Sequence, residues 1–431
     1  MQEFGIGLLG FGTVGAGVAD GLIRNGDLIA ERTGLRPVLR GIADLDIATD
    51  RGVAVPRELL TTDAQSVIDD DAVDIIVELV GGTGIAKTFT EAALRRGKPV
   101  VTANKALLAK HGAELTALAR EHGAEIYFEA SVGGGIPVIR ALREGLVSNR
   151  IDWIYGILNG TCNYVLTRME KEHLSFEEVL ADAQRLGFAE ADPALDVDGH
   201  DTAHKAVLLA SLAYGFNVPL DDVPVSGIRG LATEDITHAR ELGYAIKLLA
   251  VIRRAGEHVE VSVHPALLPQ EHILAQVGGV FNAVMAHGDM TEETLYYGKG
   301  AGREPTASAV LADICDVTKN LQSGSPRQFV GPGHSNAALS LADASEISTR
   351  HYIRLSLLDR PNVLAEISAT LGTQDISIAS VVQKETESND HVSVVLVTHH
   401  ATNRQCQAAL AAIAAMDAVR DEPVHIRIED V

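Results

Sequence analysis

The 431-residue chain is poor in cysteine. Cys162, Cys315 and Cys406 lie far apart, and no C-x-x-C pair occurs. Neither a disulfide framework nor a zinc ribbon is indicated. Basic residues are scarce as well: 36 Lys and Arg stand against 58 Asp and Glu, a net charge of −22. General nucleic-acid binding needs a basic face, so that class is not expected. Long apolar runs are missing too. No uncharged stretch reaches the roughly 18 residues of a membrane span. The N-terminus, MQEFGIGLLGFG, lacks the basic region of a signal peptide. The expected compartment is the cytoplasm, with no membrane and no nucleic acid as partner. What the chain has is ordinary apolar content, 46%, enough for two or three packed domains.

The pattern along the chain changes twice. Residues 4–9, 37–44, 74–80, 98–103 and 125–130 are short apolar runs that read as strands. Helical spacing follows from Val14, over roughly Ile85–Arg96 with Gly97 as a stop signal, and over Leu107–His122. Strands alternating with helices of this length predict an α/β, Rossmann-like parallel sheet. After residue 131 the order becomes α+β, with strands expected at 258–263 and 279–287 and a glycine loop before a helix near 298–320. Residues 322–348, rich in Ser, Gly, Pro, Ala and His, read as a linker. Beyond it the order is strand 351–358, helix 361–372, strand 376–384, strand 391–398, helix 402–415, strand 424–428. That is βαββαβ, the ferredoxin-like plan. The expected division is a dinucleotide domain at 1–130 completed near 298–320, a substrate and dimerisation domain at 131–320, a linker at 321–349 and a small domain at 350–431.

Gly10, Gly12 and Gly15 form G-x-G-x-x-G directly after the first strand and at the start of a helix, with Thr13 and Val14 inside the turn. The glycines permit a tight turn, close approach of backbone to a pyrophosphate, and close helix–strand packing. Asp44, at the end of the second strand, is the acid expected to meet the adenosine ribose. Its 34 residues beyond Gly10 exceed the usual ~20, which a longer first helix accounts for. No arginine follows until Arg51, so the reading is NAD or NADP, leaning to NAD. Lys105, in VVTANKALL, lies just past a strand end, where ligands of open α/β sheets bind.

Residues 187–205, GFAEADPALDVDGHDTAHK, gather five carboxylates, two histidines and a lysine. His200-Asp201-Thr202-Ala203-His204 is near the zinc-protease pattern, but aspartate replaces the glutamate and no third ligand follows nearby. Zinc catalysis is not expected. Asp201 and Lys205, four apart, can pair on one helix face. Asn159-Gly160-Thr161 matches a glycosylation sequon, which without secretion reads as chance.

These motifs, in this order, resemble homoserine dehydrogenase with a C-terminal ACT domain. The resemblance rests on the glycine turn, TANK at 102–105, EASVGGGIPVI at 129–139, GILNGTCNY at 156–164, the 187–205 segment and GKGAGREPTASAV at 298–310. It implies reversible hydride transfer between L-homoserine and L-aspartate 4-semialdehyde, on the way to threonine, methionine and isoleucine. It further implies Lys205 as proton donor with Lys105 as second lysine and Asp201 orienting Lys205. Glu190, Asp196 and Asp201 would hold the amino-acid substrate. The cofactor set is Gly10, Gly12, Thr13, Val14, Gly15, Asp44, Thr83, Lys105, Gly187 and Gly302. Glu129, Val132, Gly134 and Ile136 match a loop for a monovalent cation, sodium or potassium. Cys162 stands where the family often has Thr or Ser, and reads as a tolerated small residue. The tail implies an amino-acid effector, L-threonine by pathway logic, with the Asp359–Asn362 loop as its rim, and a homodimer or homotetramer. The rival of another class is a non-catalytic sensor of NAD and an amino acid.

Overall fold

The computed structural model describes residues 2–324, 338–383 and 391–430. The elements begin with β1 (Gln2–Leu9), α1 (Thr13–Thr33), β2 (Leu35–Ala43), β3 (Leu60–Thr61), α2 (Ala64–Asp69), β4 (Ile75–Glu78), α3 (Ile85–Arg95), β5 (Val100–Thr102), α4 (Lys105–Glu121) and β6 (Ile126–Tyr127). Next come α5 (Val138–Arg140), β7 (Ile151–Ile157), α6 (Gly160–Glu172), α7 (Phe176–Arg185), α8 (Ala194–Val197), α9 (His200–Tyr214) and α10 (Thr233–Glu241). Four strands and a long helix follow: β8 (Tyr244–Ala255), β9 (His258–Pro269), β10 (Phe281–Gly288), β11 (Glu292–Lys299) and α11 (Arg303–Ser323). The tail is β12 (Ser340–Leu341), β13 (Ser348–Leu357), α12 (Val363–Thr373), β14 (Ile378–Gln383), β15 (Val392–Thr398), β16 (Ala401–Thr402), α13 (Asn403–Ala414) and β17 (Val424–Ile428). Of the stretch read as a linker, residues 325–337 lie outside the described residues, as does residue 384 of the strand expected at 376–384. The rest of that stretch is structured at both ends, since α11 runs to Ser323 and β13 begins at Ser348.

The chain forms two compact units. The first comprises Met1–Leu158, Ala203–Val223 and Phe281–Ser340. Its six-stranded sheet has the order β3-β2-β1-β4-β5-β6, parallel throughout. The chain leaves β1 to one side and returns at β4 on the other. That reversal opens a crevice beyond the strands' carboxyl ends, where such sheets bind ligands. Ile6, Leu8, Ile75, Val77 and Val101 fill the sheet's core with Val18 and Leu22 of α1 and Val310, Ile314 and Val317 of α11. The same unit holds an antiparallel set in which β10 pairs with both β7 and β11.

The second unit comprises Asn159–Thr202, Pro224–Val280 and Leu341–Val431. Here β8 and β9 pair antiparallel along their full twelve-residue lengths. The tail's strands run in the order β17-β13-β15-β14, antiparallel, with α12 and α13 on one face. Ile353, Leu355, Val394 and Leu396 meet Ile367, Leu371, Ala409 and Ile413 in that core. β17 also lies parallel to β9, pairing Arg427 with Ala266. An ionic cluster ties the same strands: Arg427 reaches Glu260 at 2.7 Å and Glu429 at 3.0 Å, and Arg253 reaches Glu260 at 2.7 Å. The tail is thus built into this unit's sheet, and the half-buried Arg354 on β13 pairs with buried Asp235 of α10 at 2.5 Å.

Strand β8 was not legible beforehand. YAIKLLAVIRRA is rich in good helix formers, and pairing with neighbouring strands, β9 along its whole length, makes it a strand. Its Lys247 is 2% exposed and donates to the Val277 carbonyl at 2.8 Å. Burial lowers its ammonium to about 8. A base lowered in the folded state costs stability while protonated, so stability should rise as pH climbs from about 8 toward the unfolded value near 10.4. The gain is at most about 3 kcal/mol. Lys247→Met should flatten that rise in denaturation curves; an unaltered slope would remove Lys247 as its source.

Candidate active site

The glycine turn joins β1 to α1 at the switch point. Gly10 has φ +97, and a Cβ there would sit 2.5 Å from the Leu79 carbonyl oxygen. A Cβ on Gly15 would sit 2.0 Å from the Gly10 carbonyl oxygen. The turn therefore accepts no side chain at either position. Gly12 caps the N-terminus of α1, with no atom within 4 Å of where its Cβ would be. That open space, at the positive end of a 21-residue helix, fits a dinucleotide's phosphates. A cavity of about 290 Å³ adjoins it, lined by Gly10, Gly12, Asp44, Leu79, Val80 and Phe89 among others.

Asp44 is at the rim of this cavity. Its carboxylate accepts the Phe11 N–H at 2.5 Å and the Asp46 N–H at 2.8 Å. These bonds fix the acid beside the glycine turn and leave lone pairs for a ribose hydroxyl. Arg51 is bound to Asp46 at 3.0 Å. Thr83 lies on the bend between β4 and α3, and Lys105 is the first residue of α4. An ammonium at a helix's positive end is electrostatically unfavourable, so helix stability does not explain Lys105.

A buried network that the sequence reading passed over holds these loops. Glu78, 0% exposed at the end of β4, accepts the Thr102 hydroxyl at 2.7 Å and the Val80 N–H at 2.9 Å. Burial pushes its carboxyl above the ordinary range. Asn104 caps α4 by accepting the Leu107 N–H at 3.1 Å on its side-chain oxygen, and donates its amide to the Gly82 carbonyl at 2.7 Å. The one signal was a glutamate inside the apolar run DIIVELV.

The loop expected to hold a cation is largely buried. Glu129, Val132, Gly134 and Ile136 lie together in 129–136, where Glu129 opens a one-turn 3-10 helix (Glu129–Ser131) and the other three lie between it and α5. The Glu129 carboxylate accepts the N–H groups of Ile139 and Arg140 at 2.9 and 2.8 Å. The Ile136 carbonyl accepts from Val138 at 2.8 Å and keeps a second lone pair. Oxygen donors of this kind fit a hard cation. Gly302 caps α11 with φ +119.

Lys205 lies on α9, 8% exposed, and donates to the Leu158 carbonyl at 2.6 Å, just past the end of β7. Asn282 of β10 donates to the same carbonyl at 2.8 Å. Asp201 lies one turn earlier on α9 and is also buried. In the second unit, Asn159 organises the acids. Its side-chain oxygen Oδ1 accepts the Cys162 N–H at 2.8 Å, capping α6, while its side-chain amide donates to Asp196 at 2.7 Å and Asp201 at 2.9 Å. The asparagine of the supposed sequon is thus a buried connector. Cys162 is buried, with its thiol toward the Asp196 carbonyl at 3.2 Å. Glu190 is exposed, and Gly187, at φ +78, follows the last turn of α7. Asp192 accepts the Ala194 N–H at 3.1 Å, and Asp198 pairs with Arg229, so both have local structural work. His200 is exposed, and neither it nor His204 belongs to a group of three possible metal ligands among the described residues. No described helix is long and apolar enough to cross a membrane.

Comparison with known proteins gives concordant matches. The family described as "Homoserine dehydrogenase, NAD binding domain" matches residues 10–129, and that described as "Homoserine dehydrogenase" matches 137–315. A homoserine dehydrogenase of Pseudomonas aeruginosa is 43% identical, with 100% of both chains covered. The crystal structure of one from Thiobacillus denitrificans superposes with a TM-score of 0.93 at 43% identity, covering 99% of this chain and 98% of that one. A hyperthermophilic archaeal homoserine dehydrogenase in complex with NADPH aligns with a TM-score of 0.62 at 28% identity, over 74% of this chain and 98% of its own.

Proposed function

The chain belongs to the homoserine dehydrogenase family, and from that premise we propose how its residues divide the work. The enzyme is an oxidoreductase with an NAD(P)-binding domain, interconverting L-homoserine and L-aspartate 4-semialdehyde. The nicotinamide supplies or accepts the hydride. The protein's part is to hold the aldehyde and manage the proton its oxygen gains. Lys205 is the donor: a buried ammonium stabilises negative charge developing on that oxygen and then protonates it. The observation that carries this assignment is the fixing of the Lys205 ammonium at 2.6 Å from the Leu158 carbonyl, in a buried position. Lys105 is the second lysine at the reacting oxygen. Asp201 orients Lys205 and, with Glu190 and Asp196, binds the substrate's ammonium through charge-assisted bonds. A monovalent cation held by Glu129, Val132, Gly134 and Ile136 would stiffen the loop leading to α5.

Cofactor contacts are assigned to Gly10, Gly12, Thr13, Val14, Gly15, Asp44, Thr83, Lys105, Gly187 and Gly302. NAD is the favoured nucleotide, because a carboxylate at Asp44 repels a 2′-phosphate and Arg51 is engaged by Asp46. Asp44→Ala should raise the dissociation constant of NADH about tenfold or more, the loss of a charge-assisted bond, and that of NADPH less. An unchanged ratio would overturn the assignment. The overall test is steady-state oxidation of NADH and NADPH with L-aspartate 4-semialdehyde. The alternative of a non-catalytic sensor finds no support among the relatives, and would need NADH binding without turnover.

The tail is read as an ACT domain that senses L-threonine, and the assembly as a homodimer or homotetramer. In support, roughly a quarter of the chain lies outside its alignment to the archaeal enzyme, a share that a tail added to the dehydrogenase would account for. Deleting the tail would be a poor test, since β17 pairs with β9. A point change serves better. The exposed Asp359–Asn362 loop includes Asn362 at φ +73. Asp359→Ala should weaken threonine inhibition at least tenfold with kcat unchanged. Full-length enzyme indifferent to threonine would end the regulatory reading.

A further inference from the structure

Three side chains far apart in sequence converge in the tail. His351 on β13 and His425 on β17 occupy neighbouring antiparallel strands, in which Ile353 pairs with His425 and His351 with Arg427. The two histidines are therefore diagonal neighbours on one sheet face. It is the face that carries Ile353 and Leu355 into the core beneath α13, and α13 brings Cys406 against it. His351 Nδ1 lies 2.8 Å from His425 Nε2, and Cys406 Sγ lies 3.6 Å from the same nitrogen. One ligand atom from each residue falls within 4.8 Å of the others. His351 and Cys406 are fully buried and His425 is half-buried.

The hydrogen bonding fixes what these atoms offer. His351 Nε2 is 3.0 Å from the Ala401 carbonyl oxygen, which can only accept, so Nε2 carries the proton. In the neutral ring Nδ1 then bears a lone pair directed at His425 Nε2, the nitrogen that Cys406 also approaches. A carbonyl that sets the outer nitrogen of a histidine in this way is the usual support of a metal ligand. Two imidazoles and a thiol form a nitrogen–sulfur donor set suited to zinc and its neighbours rather than to magnesium or calcium. With bond lengths of about 2.0 Å to nitrogen and 2.3 Å to sulfur, a tetrahedral centre separates N and S by about 3.5 Å and the two nitrogens by about 3.3 Å. Cys406 and His425 already stand at the first separation, the two nitrogens need a shift of about half an ångström to reach the second, and Cys406 and His351 start within 4.8 Å of each other. A cavity of about 150 Å³ reaches His425, lined also by Ser262, His264, Asn403, Gln407 and Arg427. It gives a path for entry and room for a fourth ligand.

We propose that His351, Cys406 and His425 bind one borderline divalent transition-metal ion, of which zinc is the type, with a water in the fourth position facing this cavity. On binding, the Cys406 thiol gives its proton to solvent and the S–H bond is replaced by a sulfur–metal bond. The ion would cross-link β13, β17 and α13, and so stabilise the folded tail against the unfolded chain.

The test is a cobalt titration of the full-length, metal-stripped protein. The expected result is one equivalent per chain, with a near-ultraviolet thiolate-to-cobalt band and the strong visible bands of a tetrahedral site, both erased by zinc. Cys406→Ser should lose the thiolate band, and His351→Gln should bind at least tenfold more weakly. Zinc should raise the melting temperature of the wild type and not of Cys406→Ser. Absence of the thiolate band in wild-type protein at saturating cobalt, or its survival in Cys406→Ser, would overturn the site and leave the three residues as a hydrogen-bonded core cluster. The wild-type spectrum decides even if a variant does not fold.

Discussion

Lys205→Ala is expected to lower kcat roughly 10²–10⁴-fold, the usual contribution of a positioned proton donor, while NADH still binds with nearly wild-type affinity. The lysine is buried, so the alternative cause of a loss is a damaged fold. Its tie to Leu158 is one hydrogen bond to a carbonyl that Asn282 also serves, and its removal leaves that acceptor satisfied. Stability should therefore fall by no more than about 1–3 kcal/mol. Measured together, kcat, the NADH dissociation constant and the unfolding midpoint separate chemistry from folding. A variant that keeps a tenth or more of wild-type kcat would transfer the donor role to Lys105.

Asn159 carries the second large effect. Asn159→Ala removes a helix cap and, at once, both amide bonds to the acids, buried Asp201 and half-buried Asp196. We expect a loss of about 2–3 kcal/mol in unfolding free energy, and a kcat/KM lower by roughly 10–100-fold. Asn159→Asp is the informative partner. It keeps the oxygen that caps α6 but puts a third carboxylate against Asp196 and Asp201, where an amide now donates. The cap should survive and the activity should not. If Asn159→Asp behaves as wild type, the amide does not organise the acids, and Asp196 and Asp201 must be set by other contacts.

How much of this was readable without coordinates depended on the range of the interaction. The parallel sheet announced itself through local alternation, and the glycine turn through three glycines within six residues. The tail's βαββαβ order was readable for the same reason, each element being short and punctuated. Strand β8 was not, because its residues favour a helix and its partner strand supplies the reason it is extended. β11 hid for a related reason: its YYGK end runs straight into the glycine loop that follows it, and the strand is made by pairing with β10. Glu78 and Asn159 were visible as letters but not as connectors. Their partners lie 24 and 37–42 residues away. The histidine–cysteine cluster is the extreme case, since 74 residues separate its two histidines and no spacing rule links them.

The pairing of β17 with β9 has a consequence for how the chain is made. Arg427 bonds to Glu260, 167 positions earlier. At a synthesis rate of about 5–20 residues per second, the ribosome needs about 10–30 s to add that stretch. During that interval β9 has emerged but lacks the neighbour that finally covers its edge, and buried Glu260 has Arg253 but not Arg427. The second unit therefore cannot close its sheet until β17 (Val424–Ile428) has been made, whereas the β1–β6 sheet needs only α11 to complete its core. The nascent enzyme should carry a finished nucleotide fold beside an open, edge-exposed one. Pulse-labelled chains stalled near residue 400 should be recognised by chaperones and proteases through the second unit alone.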